Sequence, residues 1–274
     1  MTTTDTGFGA VDAHPDGASL VAALDIQARL PAIKRLRTSA VELLAPAPGG
    51  RLLDAGCGTG DMTRRLAAAV APGGSVVGVD ASETMLAEAE RRSTDPTLTV
   101  ELGRGDITCL DLPDGSFDGA YSERVFQHLD RPEVALAELV RVTRPGGRIA
   151  VIDSDWGMHA IHGADPQLTN RVITCWADQM PNGWSGRRLP GLFAATGMTD
   201  ACINADTLTV RDARLPAMEP FATMASVAQG TGALTDDEAR RWLQQLAQAS
   251  TDGSFFWAIT LFLVVGTRVP TSAN

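Results

Sequence analysis

The stretch RLLDAGCGTGD, residues 51–61, decides the fold. Leu52 and Leu53 make a short apolar run of the kind a buried strand uses. Asp54 follows it, and Gly56, Gly58 and Gly60 then alternate before Asp61 opens a helical pattern. A strand, a glycine-rich turn and a helix in that order form a nucleotide or anion site, because backbone without Cβ atoms adopts positive φ and lies flush against a ligand. Asp54 has two readings, a ligand contact and a cap on the amides of the turn, and both can hold together.

Outward from this turn, strands and helices alternate. Strands are predicted at 51–55, 75–80, 97–103, 116–122 and 147–154, and helices at 61–71, 82–93 and 131–143. Short apolar strands alternating with helices predict a parallel, doubly wound sheet. Upstream, residues 1–16 read as a flexible arm, and 20–45 as helical, with Pro31 suited to a first turn. Downstream, Asp165 and Pro166 open a helix whose Leu168, Val172 and Trp176 share one face. Residues 183–197 read as a loop and a short helix, and 199–210 as a strand. Thr235 and Glu238 form a capping box, and a final strand covers 254–267.

Composition limits the partners. The chain has 274 residues, 44% of them apolar, and a net charge of −10. That charge, with no Lys/Arg-rich run, argues against nucleic acid and against an anionic membrane surface. No apolar run reaches the ~18 residues of a membrane span. The N-terminus lacks the basic and apolar regions of a signal peptide, so the expected location is the cytoplasm. Cys57, Cys109, Cys175 and Cys202 form no C-x-x-C pair and read as reduced, mostly buried thiols. No metal site is expected, since His159 and His162 lack further clear ligands.

A second acid, Asp80, ends the second strand, near the ~20-residue spacing of a ribose-binding carboxylate. A third, Asp106, follows the third strand region. The even spacing of Gly56, Gly58 and Gly60 does not match the dinucleotide pattern G-x-G-x-x-G. The segments LLDAGCGTG, VVGVDAS, GD at 105–106 and RPGGRI at 144–149 closely resemble the class I S-adenosylmethionine-dependent methyltransferases, across about residues 50–155. Within them the chain looks most like the small-molecule branch of ubiquinone/menaquinone-type C-methyltransferases and natural-product enzymes of secondary metabolism.

The resemblance implies an α/β, doubly wound Rossmann-like fold, mostly parallel with an antiparallel last strand, carrying helical cap segments. It divides a single domain into an N-terminal arm and lid helices (1–47), a cofactor-binding core (48–155), and an acceptor cap with the final strands (156–274). It implies S-adenosyl-L-methionine as cofactor and S-adenosyl-L-homocysteine as product, without a metal. Gly56, Gly58 and Gly60 then pass the methionine part, Asp80 takes the ribose hydroxyls, and Ala81, Ser82 and Met85 lie along the adenine. Asp106 meets the adenine amino group beside Ile107, and Asp54 and Ser122 complete the cofactor set.

Methyl transfer asks the protein mainly to align acceptor and methyl and to exclude water. Ligands lie at the carboxyl ends of such strands, which places residues 121–129 and 152–162 near the reaction. His128, Glu123 and Asp155 are the candidate catalytic residues there. Asp153 and Asp155 point opposite ways along an extended segment, so at most one reaches the pocket, and Glu123 is also suited to an ion pair with Arg124. Trp156, Trp176 and Trp184 read either as core or as the lining of a flat aromatic acceptor's pocket. The expected activity is methyl transfer to a small aromatic acceptor, carbon favoured. Oxygen or nitrogen transfer and a non-methylating cyclase are the alternatives, and the expected state is a monomer or homodimer. YSERVF at 121–126 is not the N/D-P-P-Y pattern of amino-directed enzymes, and no carboxylate/amide set of the metal-dependent catechol type is identifiable.

Overall fold

Leu52 and Leu53 set the layering. In the computed structural model, which describes residues 9, 11–14, 16–211 and 219–269, they lie on the central strand β1 (Arg51–Ala55). Successive side chains of a strand face opposite ways, so Leu53 enters one core and Leu52 another, with exposures of 0% and 3%. On one face sit α5 (Pro132–Val142) and α7 (Ser185–Ala195), bringing Leu136, Leu139, Leu189 and Phe193. On the other, α2 (Pro31–Leu44) and α3 (Asp61–Val70) bring Leu36 and Leu66.

From one edge the sheet runs β3 (Thr99–Arg104), β2 (Ser75–Asp80), β1, β4 (Phe117–Glu123), β5 (Thr143–Ser154) and β8 (Phe256–Thr267). The pairs among the first five are parallel. β8 runs antiparallel to β5, to the short β6 (Ala160–His162) and to β7 (Thr199–Val210). β7 pairs with nearly the whole length of β8, so β5 and β6 share its other edge. The mixed, mostly parallel sheet with an antiparallel last strand is the architecture the sequence predicts.

Between β5 and β8 the chain builds a cap from α6 (Pro166–Gln179), α8 (Glu219–Gly230) and α9 (Asp236–Thr251), whose Trp176, Phe221 and Trp242 share a third core. The predicted caps are present. Asp165 accepts from the amides of Gln167 and Leu168, Pro166 stands in the first turn, and Thr235 and Glu238 cap α9 reciprocally. No helix among the described residues is long and apolar enough to cross a membrane.

Several readings change. Residues 183–197 hold one helix, α7, despite Pro190 in its interior, because burial of Leu189 and Phe193 outweighs the proline's lost hydrogen bond. β5 starts at Thr143, which pairs with Phe117 ahead of a bulge. Of the four cysteines only Cys57 is buried; Cys109 is exposed and the other two are intermediate. The described part of the arm is anchored by Asp12, which accepts from the Ser82 hydroxyl (2.7 Å) and the Glu83 amide (2.9 Å) at the start of α4 (Glu83–Arg92). Of the two N-terminal helices, α1 (Gly17–Ala28) covers the site described below, whereas α2 belongs to the sheet core.

The cap rests on one buried polar bond as well as on apolar packing. The indole N–H of Trp242, a residue with 0% exposure, donates to the Thr169 hydroxyl at 2.9 Å. Thr169→Val keeps the shape and leaves that N–H without an acceptor, so unfolding free energy should drop by about 1–3 kcal/mol. The expected reading is a lower urea midpoint at unchanged slope.

Candidate functional site

Asp80 organises the turn that follows β1. Its two carboxylate oxygens accept from different strands of chain, Gly58 N–H at 2.8 Å and Ser82 N–H at 2.9 Å. The amides of Gly56 and Cys57 both donate to the Val79 carbonyl, at 2.7 and 3.0 Å. The turn is thereby hung on the end of β2 with φ of 79°, 51° and 71° at Gly56, Gly58 and Gly60. At Gly56 a Cβ would lie 2.1 Å from Val125 Cγ2, so this glycine admits the loop after β4. At Gly58 a Cβ would meet only Leu24 of α1, at 3.5 Å, so this is the open face of the cradle. An ionised carboxylate has about four acceptor positions; Asp80 has two of them filled by amides. Burial raises its pKa.

Beside the cradle lies a recess walled by opposite charges. Arg37 of α2 reaches Glu123 at 2.7 Å and Asp61 at 2.5 Å, and the Tyr121 hydroxyl donates to Glu123 at 2.6 Å. Burial works to raise the Glu123 pKa, but Arg37, Arg124 and the Tyr121 bond more than reverse it, and the net direction is down. Arg124 lies 3.6 Å from Glu123, so the expected Glu123–Arg124 pair exists but the closer partner is Arg37. Asp54 is buried and accepts from the Thr63 hydroxyl at 2.6 Å. Burial pushes its pKa up to about 7. Leu24, Asp25 and Ala28 of α1 close the recess from above.

The segment after β4 leads away from this recess. Arg124 holds φ of 56°, a backbone that bulky residues rarely adopt, and it turns Val125 over Gly56. Gln127 then serves two neighbours: its amide donates to the Arg124 carbonyl at 3.2 Å, and its Oε1 accepts from the Trp156 indole at 2.8 Å. An indole N–H only donates, which fixes the Gln127 orientation. Its NH2 therefore faces His128 Nε2 at 3.1 Å, and that imidazole nitrogen is the acceptor. Asp153 takes three donors, the amides of Gln127 and Ser154 and the Ser185 hydroxyl, each at 2.8 Å. Burial raises its pKa to about 7.

The remaining predicted residues separate. Asp155 is committed to Arg187 in an ion pair and to the Gly157 amide at 3.1 Å, and it does not line the recess. Its carboxylate is therefore withdrawn as a candidate proton acceptor. Trp184 stacks under Arg187 (4.6 Å) against Gly157, apart from the other two tryptophans. Trp156 and Trp176 meet edge to face at 5.9 Å, and Trp156 stacks on His159 at 5.6 Å. Met85 is buried against Val11 and Leu20 as core. Ala81 and Asp106 are exposed; Asp106 accepts from the Thr108 amide at 2.8 Å. Ile107 is buried, and the buried Ser122 hydroxyl has no partner among the described residues. Among those residues no group of three or more His, Cys, Asp or Glu is placed to hold a metal ion. Sequence reading missed Arg37, Tyr121 and Gln127. Tyr121 carried a signal, as the chain's one tyrosine at the end of a strand facing the glycine turn.

Comparisons with known proteins bear on the fold and the class. A methyltransferase-domain family model matches residues 53–151. An uncharacterized 37.1 kDa protein in transposon TN4556 of Streptomyces fradiae is 36% identical over 262 residues, covering 94% of this chain and 73% of that protein. The demethylmenaquinone methyltransferase of Symbiobacterium thermophilum is 40% identical over 111 residues, 39% of this chain and 43% of that enzyme. The YcgJ structure from Bacillus subtilis superposes with a TM-score of 0.58 at 18% identity, over 87% of this chain and all of that one, and speaks for the fold. Residues 53–151 form a methyltransferase domain of the S-adenosylmethionine-dependent class, and over about two fifths of its length the chain is similar to the menaquinone and ubiquinone enzymes.

The residues present fit that cofactor: an open glycine cradle, a carboxylate at the end of β2 for a diol, and both charge signs for an amino-acid head group. Asp80→Ala should weaken S-adenosylmethionine binding by roughly 1.5–3 kcal/mol, the worth of hydrogen bonds to a charged group. Calorimetry beside a circular-dichroism check of the fold measures it, and unchanged affinity removes Asp80 from the site.

Asp54 also makes a pH prediction. Its folded pKa of about 7 lies above the unfolded value of 3.8, so the folded state holds this proton more tightly. Its contribution to stability is therefore lost as pH rises from about 4 to about 7. The unfolding free energy of Asp54→Asn relative to the parent should climb across that window and level off above it. A flat difference would mean Asp54 is ionised throughout.

Proposed function

We propose that this methyltransferase acts on a small, flat aromatic acceptor, with carbon as the favoured methylated atom. The observation that carries this reading is Gln127, which ties the Arg124 carbonyl at the charged recess to Trp156 at the aromatic cluster. The alignments to quinone-pathway relatives support the acceptor class, although the chain matches less than half of the length of the Symbiobacterium enzyme.

When bound, S-adenosylmethionine supplies the methyl group as an electrophile. The chain's own residues bind and orient. In this reading Asp80 takes the ribose hydroxyls, with Ala81, Ser82 and Met85 on the adenine side, and Asp106 and Ile107 at the far edge of the base. Gly56, Gly58 and Gly60 lie along the methionine part. Asp54 and Glu123 face its ammonium end, and Arg37 and Arg124 its carboxylate end. Leu24, 3.5 Å from a Gly58 Cβ position, keeps water from the cradle. Ser122, at the end of β4, lies behind the same floor.

An electron-rich ring carbon needs no base before it attacks, and the cation so formed is stabilised by acidic and aromatic walls. The proton released afterwards is assigned to His128, which takes it on Nε2 once the 3.1 Å contact from the Gln127 side-chain amide is given up. A hydroxyl acceptor differs, since it is usually deprotonated first. Incubation with 13C-methyl cofactor and a panel of phenols and indoles, read by NMR, should give C-methyl products. His128→Ala should cut turnover by about 100-fold with cofactor affinity unchanged. O-methyl products overturn the carbon assignment, whatever the variant does.

A further inference from the structure

The aromatic cluster carries two polar atoms that the fold itself leaves unanswered. Trp257 donates its indole N–H to His159 Nδ1 at 2.7 Å. Because an indole can only donate, Nδ1 is an acceptor, and a neutral imidazole then carries its hydrogen on Nε2. Burial holds His159 in the neutral form, its pKa lowered to about 4. That Nε2–H is buried and has no partner among the described residues, and the same is true of the indole N–H of Trp176.

The two donors sit on rings that share a neighbour. Both rings touch Trp156, His159 at 5.6 Å and Trp176 at 5.9 Å between centroids. Successive planes from Trp156 to His159 to Trp257 tilt by only 27° and 15°, which leaves a flat-sided arrangement. The hydrophobic side chains packed round them include Ile161, Val172 and Val210. A buried donor without an acceptor costs about 1–3 kcal/mol, and native interiors rarely keep two together unless something else answers them.

We propose that His159 Nε2–H and Trp176 Nε1–H form a two-donor recess for the oxygen of a flat aryl ketone or phenol, the ring lying against Trp156. The inference rests on the aromatic-acceptor reading and sharpens it. Two N–H donors in apolar surroundings select an oxygen that accepts, and disfavour an ammonium, which has nothing to offer but further donors. The link through Gln127 sets this recess next to the charged one, where the reacting methyl is expected.

The test uses the full chain saturated with S-adenosylhomocysteine, and equilibrium dialysis of two probes that differ by one oxygen, 1-naphthol and naphthalene. The parent protein should hold 1-naphthol about tenfold tighter or more, the worth of one or two buried hydrogen bonds. Trp176→Phe and His159→Phe each remove one donor while keeping an aromatic ring, and should each erase most of that margin, naphthalene serving in each variant as the control for altered packing. Equal affinity for the two probes in the parent, or an undiminished margin in both variants, overturns the proposal. Methyl turnover of 1-naphthol is scored separately. A clear binding margin without any methylated product from the acceptor panel counts against the methyl-acceptor reading while leaving the recess in place.

Discussion

The Asp80 carboxylate is the constraint on which the rest of the site depends. It accepts one amide from the glycine turn, Gly58, and one from the start of α4, Ser82. Those two bonds fix the exit of β1 against the exit of β2, and so fix the cradle. The same serine then carries the order outward. Its hydroxyl donates to Asp12 and accepts from the Met85 amide, while Asp12 also takes the Glu83 and Thr84 amides. The open N–H groups of the α4 terminus are thus all answered, and the N-terminal arm is drawn over the edge of the cradle.

A second buried assembly sets the floor. Arg37, Glu123, Tyr121 and Arg124 join α2 to the end of β4. Removing either member of the Arg37–Glu123 pair would strand the other charge in a poorly solvated place, which commonly costs more than the pair itself gains. The recess therefore keeps both signs of charge at fixed positions without a ligand, the preorganisation that binding a zwitterionic head group calls for. Asp54 stands at the same floor in a different state, its carboxyl pushed up by burial and answered by one threonine hydroxyl.

Polar side chains tie the two halves of the molecule together. Gln127 touches the recess side through the Arg124 carbonyl and the cap side through Trp156, and Asn182 returns to the same loop through the Phe126 carbonyl. Asp153 fixes the Gln127 backbone and Ser185 at once. Cap and cradle are thus held in one register by polar bonds, while the apolar cores beneath them, around Leu53 and around Trp242, remain separate.

Local patterns determined much of this. The glycine turn, the acid at the end of β2, the alternation of strands and helices, the capping box at Thr235 and the proline-led α6 are all written in residues a few positions apart, where backbone conformation and capping are decided. The partners within the site were not. Arg37 meets Glu123 across 86 residues, and Trp156 meets Gln127 across 29. Asp153 and Asp155, alike in sequence, acquire different fates, one held by three neutral donors and the other by Arg187. Asp12 shows the same limit: in an arm that reads as loose, a single acid finds the end of a distant helix. The sequence by itself decided the class of fold and the glycine turn, because those follow from short-range periodicity and steric freedom. Only the tertiary structure decided which charges are paired and which buried N–H groups stay unanswered, because these depend on contacts between distant segments and on how much water they exclude.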